Sequence, residues 1–386
     1  MEINHFYING NFVDPIGQEK IDLINPATEE KVGHVVTGVE QDVDAAVSAA
    51  KSAFNEASLL TLEQKKVILQ EIIDGMQARK EEFAQVISEE MGAPIKVARS
   101  AQFGSGLVHF INTLKVIDNF SFSEVHDNIT INKLPIGPVG MITPWNWPLN
   151  QMCTKVASAI AAGTTFVLKP SEITPGAAHL FAEVVHETSM PKGMFNLIHG
   201  HGAVVGKAMS KHADLEMISF TGSTRAGIDI QKTAAYNIKR VSLELGGKSP
   251  NLILDDVDLE KAVSMGMKQC FFNTGQSCSS PTRMLIPENM LEEATKHAVA
   301  AAETMTTGDP ADEEIFLGPI SNRVQFEKVQ DLIQKGIDEG ATLACGGLGR
   351  PDGLEKGFFV KPTVFSDVDN KMTVAQEEIF GPVICL

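Results

Sequence analysis

VGMITPWNWPLNQMCTKVASAIAAGTTFVLKPSEITPGAAHLFAEVVHETSMPKGMFNLI, residues 139–198, alternates short apolar runs with helical sequence, and that alternation decides the fold. VGMI, TTFVLK and MFNLI read as buried strands, and Leu149 to Ala162 and Gly176 to Glu187 read as the helices between them. The rhythm continues through Val204 to Met209, EMISF, Thr224 to Ala235 and RVSLEL. Strand and helix in strict alternation predict an α/β fold with a parallel, doubly wound sheet, in which ligands bind at the carboxyl ends of the strands. A second series opens at NLILDD and includes Leu259 to Phe272, Met290 to Met305 and Val324 to Glu339, which predicts a second α/β domain. No internal repeat and no low-complexity tract interrupts either series.

Upstream, the apolar residues of FYINGNFVD flank Asn9-Gly10, a dipeptide that favours a tight hairpin turn, so the chain is expected to begin with a small antiparallel ribbon. Val43, Ala46, Val47, Ala50 and Phe54 then fall on one helical face. Thr61 with Gln64 makes a capping-box pattern ahead of Val67, Ile68, Ile72 and Met76. Helical sequence runs to about Lys115, and the alternation in FSFSEVHDNITINKLPIG predicts a protruding hairpin of the kind that reaches a neighbouring subunit. The expected domains are residues 1–120 with 138–245, a hairpin over 121–137, and residues 246–386.

Composition narrows the function. A chain of 386 residues can bury two sizeable cores, and 43% hydrophobic with 21% charged residues is ordinary for a globular protein. No tract has the uninterrupted apolar length that spans a bilayer, and MEINHFYING lacks the basic and apolar regions of a secretory signal, so no membrane association and a cytoplasmic location are expected. Cys153, Cys270, Cys278, Cys345 and Cys385 are odd in number and scattered, which suits a reducing compartment. A net charge of −17 without a basic cluster argues against nucleic acid as a partner.

The chemistry concentrates between Val241 and Ser280. Glu244 ends VSLEL and runs into Gly246 and Gly247, and Cys278 follows in the small, polar loop FNTGQSCSS. A base and a thiol on neighbouring element ends are what covalent catalysis by cysteine needs. Leu243 and Leu245 predict a partly desolvated Glu244 whose pKa rises toward that of a usable base. Asn273, Thr274, Gln276, Ser277, Ser279 and Ser280 predict an accessible Cys278, whereas Cys270 beside Phe271 and Phe272 reads as buried.

In PWNWP, Asn146 either caps the following helix or offers a rigidly held amide donor to an oxyanion. Lys169 and Glu172 in LKPSE are either a solvated strand end or a pair that holds ribose hydroxyls, the carboxylate disfavouring a ribose phosphate. Two glycine loops compete for a pyrophosphate, GHGAVVG (Gly200 to Gly206) and FTGSTRAG (Phe220 to Gly227). The second is preferred, because Gly222 and Ser223 follow a strand and open a helix. His199 and His201 could share a strand face, but no carboxylate or cysteine partner is evident nearby and no metal site is expected. QEEIFGPV, residues 376–383, reads on its own as a helix terminus and turn.

Taken together, PWNWP, KPSE, FTGST, ELGGKSP, FNTGQSC and EEIFGPV, in this order and at this spacing, resemble the NAD(P)-dependent aldehyde dehydrogenase superfamily, and the resemblance covers essentially the whole chain. It implies two doubly wound Rossmann-like domains, one for the cofactor and one catalytic, with the hairpin serving oligomerisation and the site shared by both domains. It further implies that Cys278 is the nucleophile, Glu244 the general base, Asn146 an oxyanion donor alongside the Cys278 backbone N–H, and Lys155 a proton relay with Glu244. Lys169 and Glu172 match contacts to the adenosine ribose, Gly222 and Ser223 the pyrophosphate loop, and Glu378 with Phe380 the nicotinamide ribose. Thr143, Trp145, Gly202 and Leu245 complete the implied cofactor contacts. The expected reaction is oxidation of an aldehyde to a carboxylic acid through a thiohemiacetal and a thioester, with NAD as cofactor and room for NADP. The expected assembly is a homodimer or homotetramer. A CoA-acylating relative, or a non-catalytic protein of the same fold, is the alternative. Family members continue past the EEIFGPV motif, so the natural chain is expected to extend beyond Leu386.

Overall fold

Both residues of the Asn9-Gly10 turn have positive φ, 52° and 74°, the geometry that a two-residue hairpin requires. In the computed structural model, which describes residues 1–386, that turn joins β1 (Phe6–Ile8) to β2 (Asn11–Val13). The helices α1 (Glu40–Ser58), α2 (Leu62–Ala78) and α3 (Phe103–Ile117) follow. The capping box at Thr61 and Gln64 forms, and Ile68, Ile72 and Met76 are buried, but Val67 is half exposed because it stands one position off the apolar stripe.

The deciding stretch folds as β3 (Val139–Ile142), α4 (Pro148–Ala162), β4 (Phe166–Lys169), α5 (Gly176–His186) and β5 (Phe195–Leu197). After it come β6 (Met217–Gly222), α6 (Thr224–Ala235) and β7 (Arg240–Leu245). The strands order themselves β7-β6-β3-β4-β5-β1-β2. The five from β3 to β7 are parallel, and the opening ribbon extends the sheet through an antiparallel β1–β5 pair. The chain winds outward from β3 to β5, then returns to lay β6 on the other side of β3. A reversal of this kind opens a crevice at the carboxyl ends of the two strands that flank it, here β3 and β6. Phe6, Val43, Val47, Ile142, Val167, Ile198 and Ile218 share one of the cores on this sheet. The hairpin Ser123–His126 with Ile129–Asn132 pairs only with itself and leaves Val125, Ile129 and Ile131 exposed.

The second α/β unit contains β8 (Pro250–Leu252), α7 (Leu259–Phe271), β9 (Arg283–Leu285), α8 (Leu291–Glu303), α9 (Arg323–Asp338), β10 (Thr342–Cys345), β11 (Thr363–Ser366) and β12 (Val383–Cys385). Its sheet order is β8-β9-β12-β11-β10, parallel except for the β10 edge. One core gathers Cys270, Phe271, Met284 and Ile384, and another gathers Val329, Ile333 and Phe365.

The chain divides into residues 1–23, 32–87 and 99–245 in one unit and residues 24–31, 88–98 and 246–386 in the other. Two short segments of the first 120 residues therefore belong with the second unit, contrary to expectation. The cause is tertiary: Glu29 pairs with Arg323 and Arg350 and accepts from the Gly357 N–H, and Ile95 N donates to Pro310 O at 2.7 Å. Local periodicity carries no trace of such distant partners.

His199 lies fully buried against the rings of Phe6 and His179, with no hydrogen-bond partner at either ring nitrogen. Burial, with the nearby His179 and Lys169 charges, holds its imidazole well below the ordinary value of 6.5. The unfolded chain therefore binds a proton that the folded chain refuses. Stability from this group is complete above pH 6.5 and falls by about 1.4 kcal/mol per pH unit below it, until the folded value is reached. Denaturant unfolding between pH 8 and pH 5 should show this slope, and His199→Leu should remove its share; identical slopes in the two proteins would contradict the assignment.

Candidate active site

Beside β3 and β6 opens a cavity of about 670 Å³, lined by Glu172, by Gly202, Ala203 and Gly206, and by Phe220, Arg225 and Ala226. Both glycine loops thus line one cavity. Gly202 to Gly206 form a π-helical turn that runs into the helix Lys207–Lys211, and a Cβ added at Gly202 would meet open space. Lys169 is buried, not solvated; its Nζ donates to Pro170 O and to Glu172 Oε2, each at 2.9 Å. Burial pushes the Glu172 carboxyl up, but the Lys169 charge and hydrogen bond, a backbone N–H and His201 outweigh it and hold the group below the usual carboxylate range.

An ionised Glu172 on the wall can accept from ribose hydroxyls, and the exposed cations Lys207 and Arg225 can face phosphate, so the lining fits the adenosine side of a dinucleotide. Gly222 and Ser223 sit just outside the lining. Ser223 caps α6, its Oγ accepting from Ala226 N at 3.3 Å, and a Cβ at Gly222 would lie 2.6 Å from the Phe220 ring. Thr143 is buried, with its N donating to Lys169 O and its Oγ1 without a partner. Trp145 is half-buried and its carbonyl accepts from Thr174 Oγ1; Leu245 is half-buried with its side chain over Gly227. His201 lies near the carboxylates of Glu19 and Glu172, so the two histidines face different surroundings.

Asn146 is buried in the turn between β3 and α4, and Gln102 Nε2 donates to its carbonyl at 3.0 Å. Two turns into α4, Lys155 Nζ donates to Ser219 Oγ of β6 at 2.9 Å. Burial pushes the Lys155 ammonium down to about 8, against the opposing pull of the Glu244 charge. Glu244 itself is exposed, which corrects the expectation of a partly desolvated carboxylate. Successive strand side chains point to opposite faces, so Leu243 and Leu245 are directed away from Glu244, and β7 is the sheet edge.

In the second unit α7 ends at Phe271, and the chain then makes a left-handed turn: Asn273, Thr274 and Gly275 have φ of 56°, 58° and 70°. Only glycine fits the third position, because a Cβ there would overlap the Gly381 carbonyl. Asn273, Thr274 and Gln276 are buried. Thr274 Oγ1 donates to Gly318 O at 3.3 Å, and Gln276 Oε1 accepts from Ser321 N at 2.9 Å. Their hydrogen bonds satisfy them inside and leave Cys278 exposed at the end of the loop, while Cys270 is buried as expected.

Glu378 accepts from Gly247 N at 3.4 Å, and a Cβ at Gly246 would overlap its carboxylate. Burial pushes that carboxyl up. Phe380 has φ of 62°, a left-handed conformation rare for a bulky residue, and Gln325 Nε2 donates to the Ile379 and Phe380 carbonyls at 2.8 and 3.2 Å. The motif is a braced turn and more than a helix terminus. Sequence reasoning passed over Gln102, Ser219, Arg225 and Gln325: each is a polar residue outside any local signature, and only its partner marks it.

A family model described as "Aldehyde dehydrogenase family" matches residues 12–386. The chain is 46% identical to the 3-succinoylsemialdehyde-pyridine dehydrogenase of a Pseudomonas species over 386 residues, which is 100% of this chain and 81% of that protein. Among solved structures, a cysteine-to-alanine variant of aldehyde dehydrogenase C from Pseudomonas syringae, in complex with NAD+ and octanal, superposes with a TM-score of 0.98 at 49% identity, covering 99% of this chain and 79% of that one. An aldehyde dehydrogenase from Bartonella henselae also gives 0.98, at 46% identity, over 100% of this chain and 82% of its own.

The Lys155 amine should titrate near pH 8. Reductive ¹³C-methylation followed by NMR should show one lysine with a midpoint near pH 8, well below that of the exposed lysines. Glu244→Gln should lower that midpoint further, because the Glu244 charge supports the ammonium; an unmoved or raised midpoint would show that the two groups are uncoupled.

Proposed function

The chain belongs to the aldehyde dehydrogenase family, and from that premise we propose that this NAD-dependent aldehyde dehydrogenase works through a covalent adduct on Cys278. The observation that carries the proposal is Cys278 itself, the one exposed cysteine, presented by a turn whose preceding residues Asn273 to Gln276 are all buried. A thiol held out by a rigid base is accessible to a carbonyl without reorganisation of its support.

Cys278 Sγ adds to the aldehyde carbon, and the Asn146 amide donates to the oxygen as it gains charge. Bound NAD would supply the acceptor for the hydride, the hydrogen of the former aldehyde C–H bond with its electron pair, that leaves the adduct. The thioester that remains on Cys278 is hydrolysed by water from which Glu244 removes a proton, and the carboxylic acid departs. Lys155, coupled by charge to Glu244 and with a pKa near 8, can relay that proton. Glu172 and Lys169 would hold the adenosine ribose, Gly202, Gly222 and Ser223 the pyrophosphate, and Glu378 with Phe380 the nicotinamide ribose, with Thr143, Trp145 and Leu245 completing the cofactor contacts. Ionised Glu172 favours NAD over NADP by repelling a ribose phosphate. The self-paired hairpin, with Val125, Ile129 and Ile131 exposed, is the proposed contact with a second copy of the chain.

Octanal, bound by the Pseudomonas syringae relative, and a pyridine-linked semialdehyde, named for the other Pseudomonas relative, are the first substrates to assay in a panel. The expected product is the free carboxylic acid with NADH, formed without CoA. Cys278→Ala should abolish both the NADH burst and turnover. Glu244→Gln should keep a single-turnover burst and lose steady-state turnover by about 10²–10⁴-fold. Turnover by Cys278→Ala, an undiminished Glu244→Gln or a requirement for CoA would each contradict the mechanism.

A further inference from the structure

Helix α3 faces α4 along one stripe, Gln102, Gly106 and His109, at spacings of four and three residues. Gln102 is the N-cap residue of α3 but makes no side-chain cap; its Nε2 donates instead to the Asn146 carbonyl at 3.0 Å. One turn along, a Cβ at Gly106 would lie 2.7 Å from Leu149 Cγ, so the two helices are in close contact there. At the next turn His109 Nε2 and Asn150 Nδ2 are 3.2 Å apart. The stripe starts where a π-helical turn, Ala98–Gln102, hands over to α3, and turns of this type recur at functional sites.

The Trp147 carbonyl takes the first bond of the α4 ladder, from Gln151 N, so the Asn146 carbonyl lies one residue outside that ladder. Gln102 and Asn146 are both buried. A fully buried amide committed to that carbonyl fixes the peptide following Asn146 and, with it, the backbone from which the Asn146 side chain projects.

We propose that Gln102 is a positioning residue for the Asn146 amide donor. The inference rests on the reading of Asn146 as the oxyanion donor. Gln102 touches neither substrate nor cofactor in this account; it acts by preventing the Asn146 backbone from drifting, and a misplacement of about 1 Å in such a group can cost about 10²-fold in rate.

The test measures first-turnover NADH formation, NAD affinity and iodoacetamide labelling of Cys278 in Gln102→Leu, Gln102→Glu and Asn146→Ala proteins. Gln102→Leu, close in volume, should slow the first turnover by about 10–100-fold, with NAD affinity and Cys278 labelling at wild-type values. Gln102→Glu can donate only as the neutral acid, whose pKa burial raises. Its rate relative to wild type should therefore recover as pH is lowered from 9 to 6, with no such recovery in Gln102→Leu. If Gln102→Leu does not fold, the pH dependence of Gln102→Glu decides the matter alone. Asn146→Ala slow with Gln102→Leu unimpaired overturns the positioning role and spares the oxyanion reading, whereas an unimpaired Asn146→Ala overturns both. A Gln102→Leu protein that loses NAD affinity in proportion to its rate, or a Gln102→Glu protein with no pH-dependent recovery, also overturns the proposal.

Discussion

Two neighbouring parallel strands, β3 and β6, pass their chains on in opposite senses, and that divergence governs the first unit. Crossovers that leave in opposite directions cannot cover the strand ends between them, so a crevice must remain there. The segments singled out in the sequence sit at the strand ends around it. PWNWP leaves β3, LKPSE leaves β4, and FTGST leaves β6. The π-helical turn at Gly202 to Gly206 then brings the other glycine loop to the same cavity. Order within a sheet is thus converted into a site before any single side chain is considered.

The second unit depends on a different constraint, a left-handed turn of three residues after α7. Asn273 and Thr274 hold a conformation that costs about 1–3 kcal/mol per residue, and buried hydrogen bonds from the loop to Gly318 and Ser321 offset part of that cost. What the strain achieves is separation. The support of the loop is buried and polar, and the thiol at its end is exposed. Gly275, jammed against the Gly381 carbonyl, ties this loop to the segment carrying Glu378 and Phe380.

Much of this was legible in the sequence because the periods of strands and helices are local properties. The alternation from Val139 onward mapped onto β3 to β7 with only small shifts at the ends. Cys270 beside two phenylalanines was read as buried, and is. What was misread depended on direction or partnership. Leu243 and Leu245 suggested shelter for Glu244, but alternate strand residues point apart and the strand is an edge. Asn273, Thr274 and Gln276 carry no local sign that each finds its partner inside. Nor does the sequence choose between the two readings of Lys169, whose ammonium donates to Pro170 and Glu172 inside the protein. Residues 24–31 and 88–98 read as part of the first unit because a short segment records its own shape and not the body it packs against.

The proposal of covalent catalysis at Cys278 rests on the exposed thiol, the buried turn behind it and the family to which the chain belongs. Intact-mass and peptide analysis of the Glu244→Gln protein, quenched in acid after mixing with NAD and octanal, tests this most directly. The account predicts an acyl adduct on the peptide that contains Cys278 and on no other cysteine. NADH formation without any adduct, or an adduct placed on Cys345 instead, would contradict it.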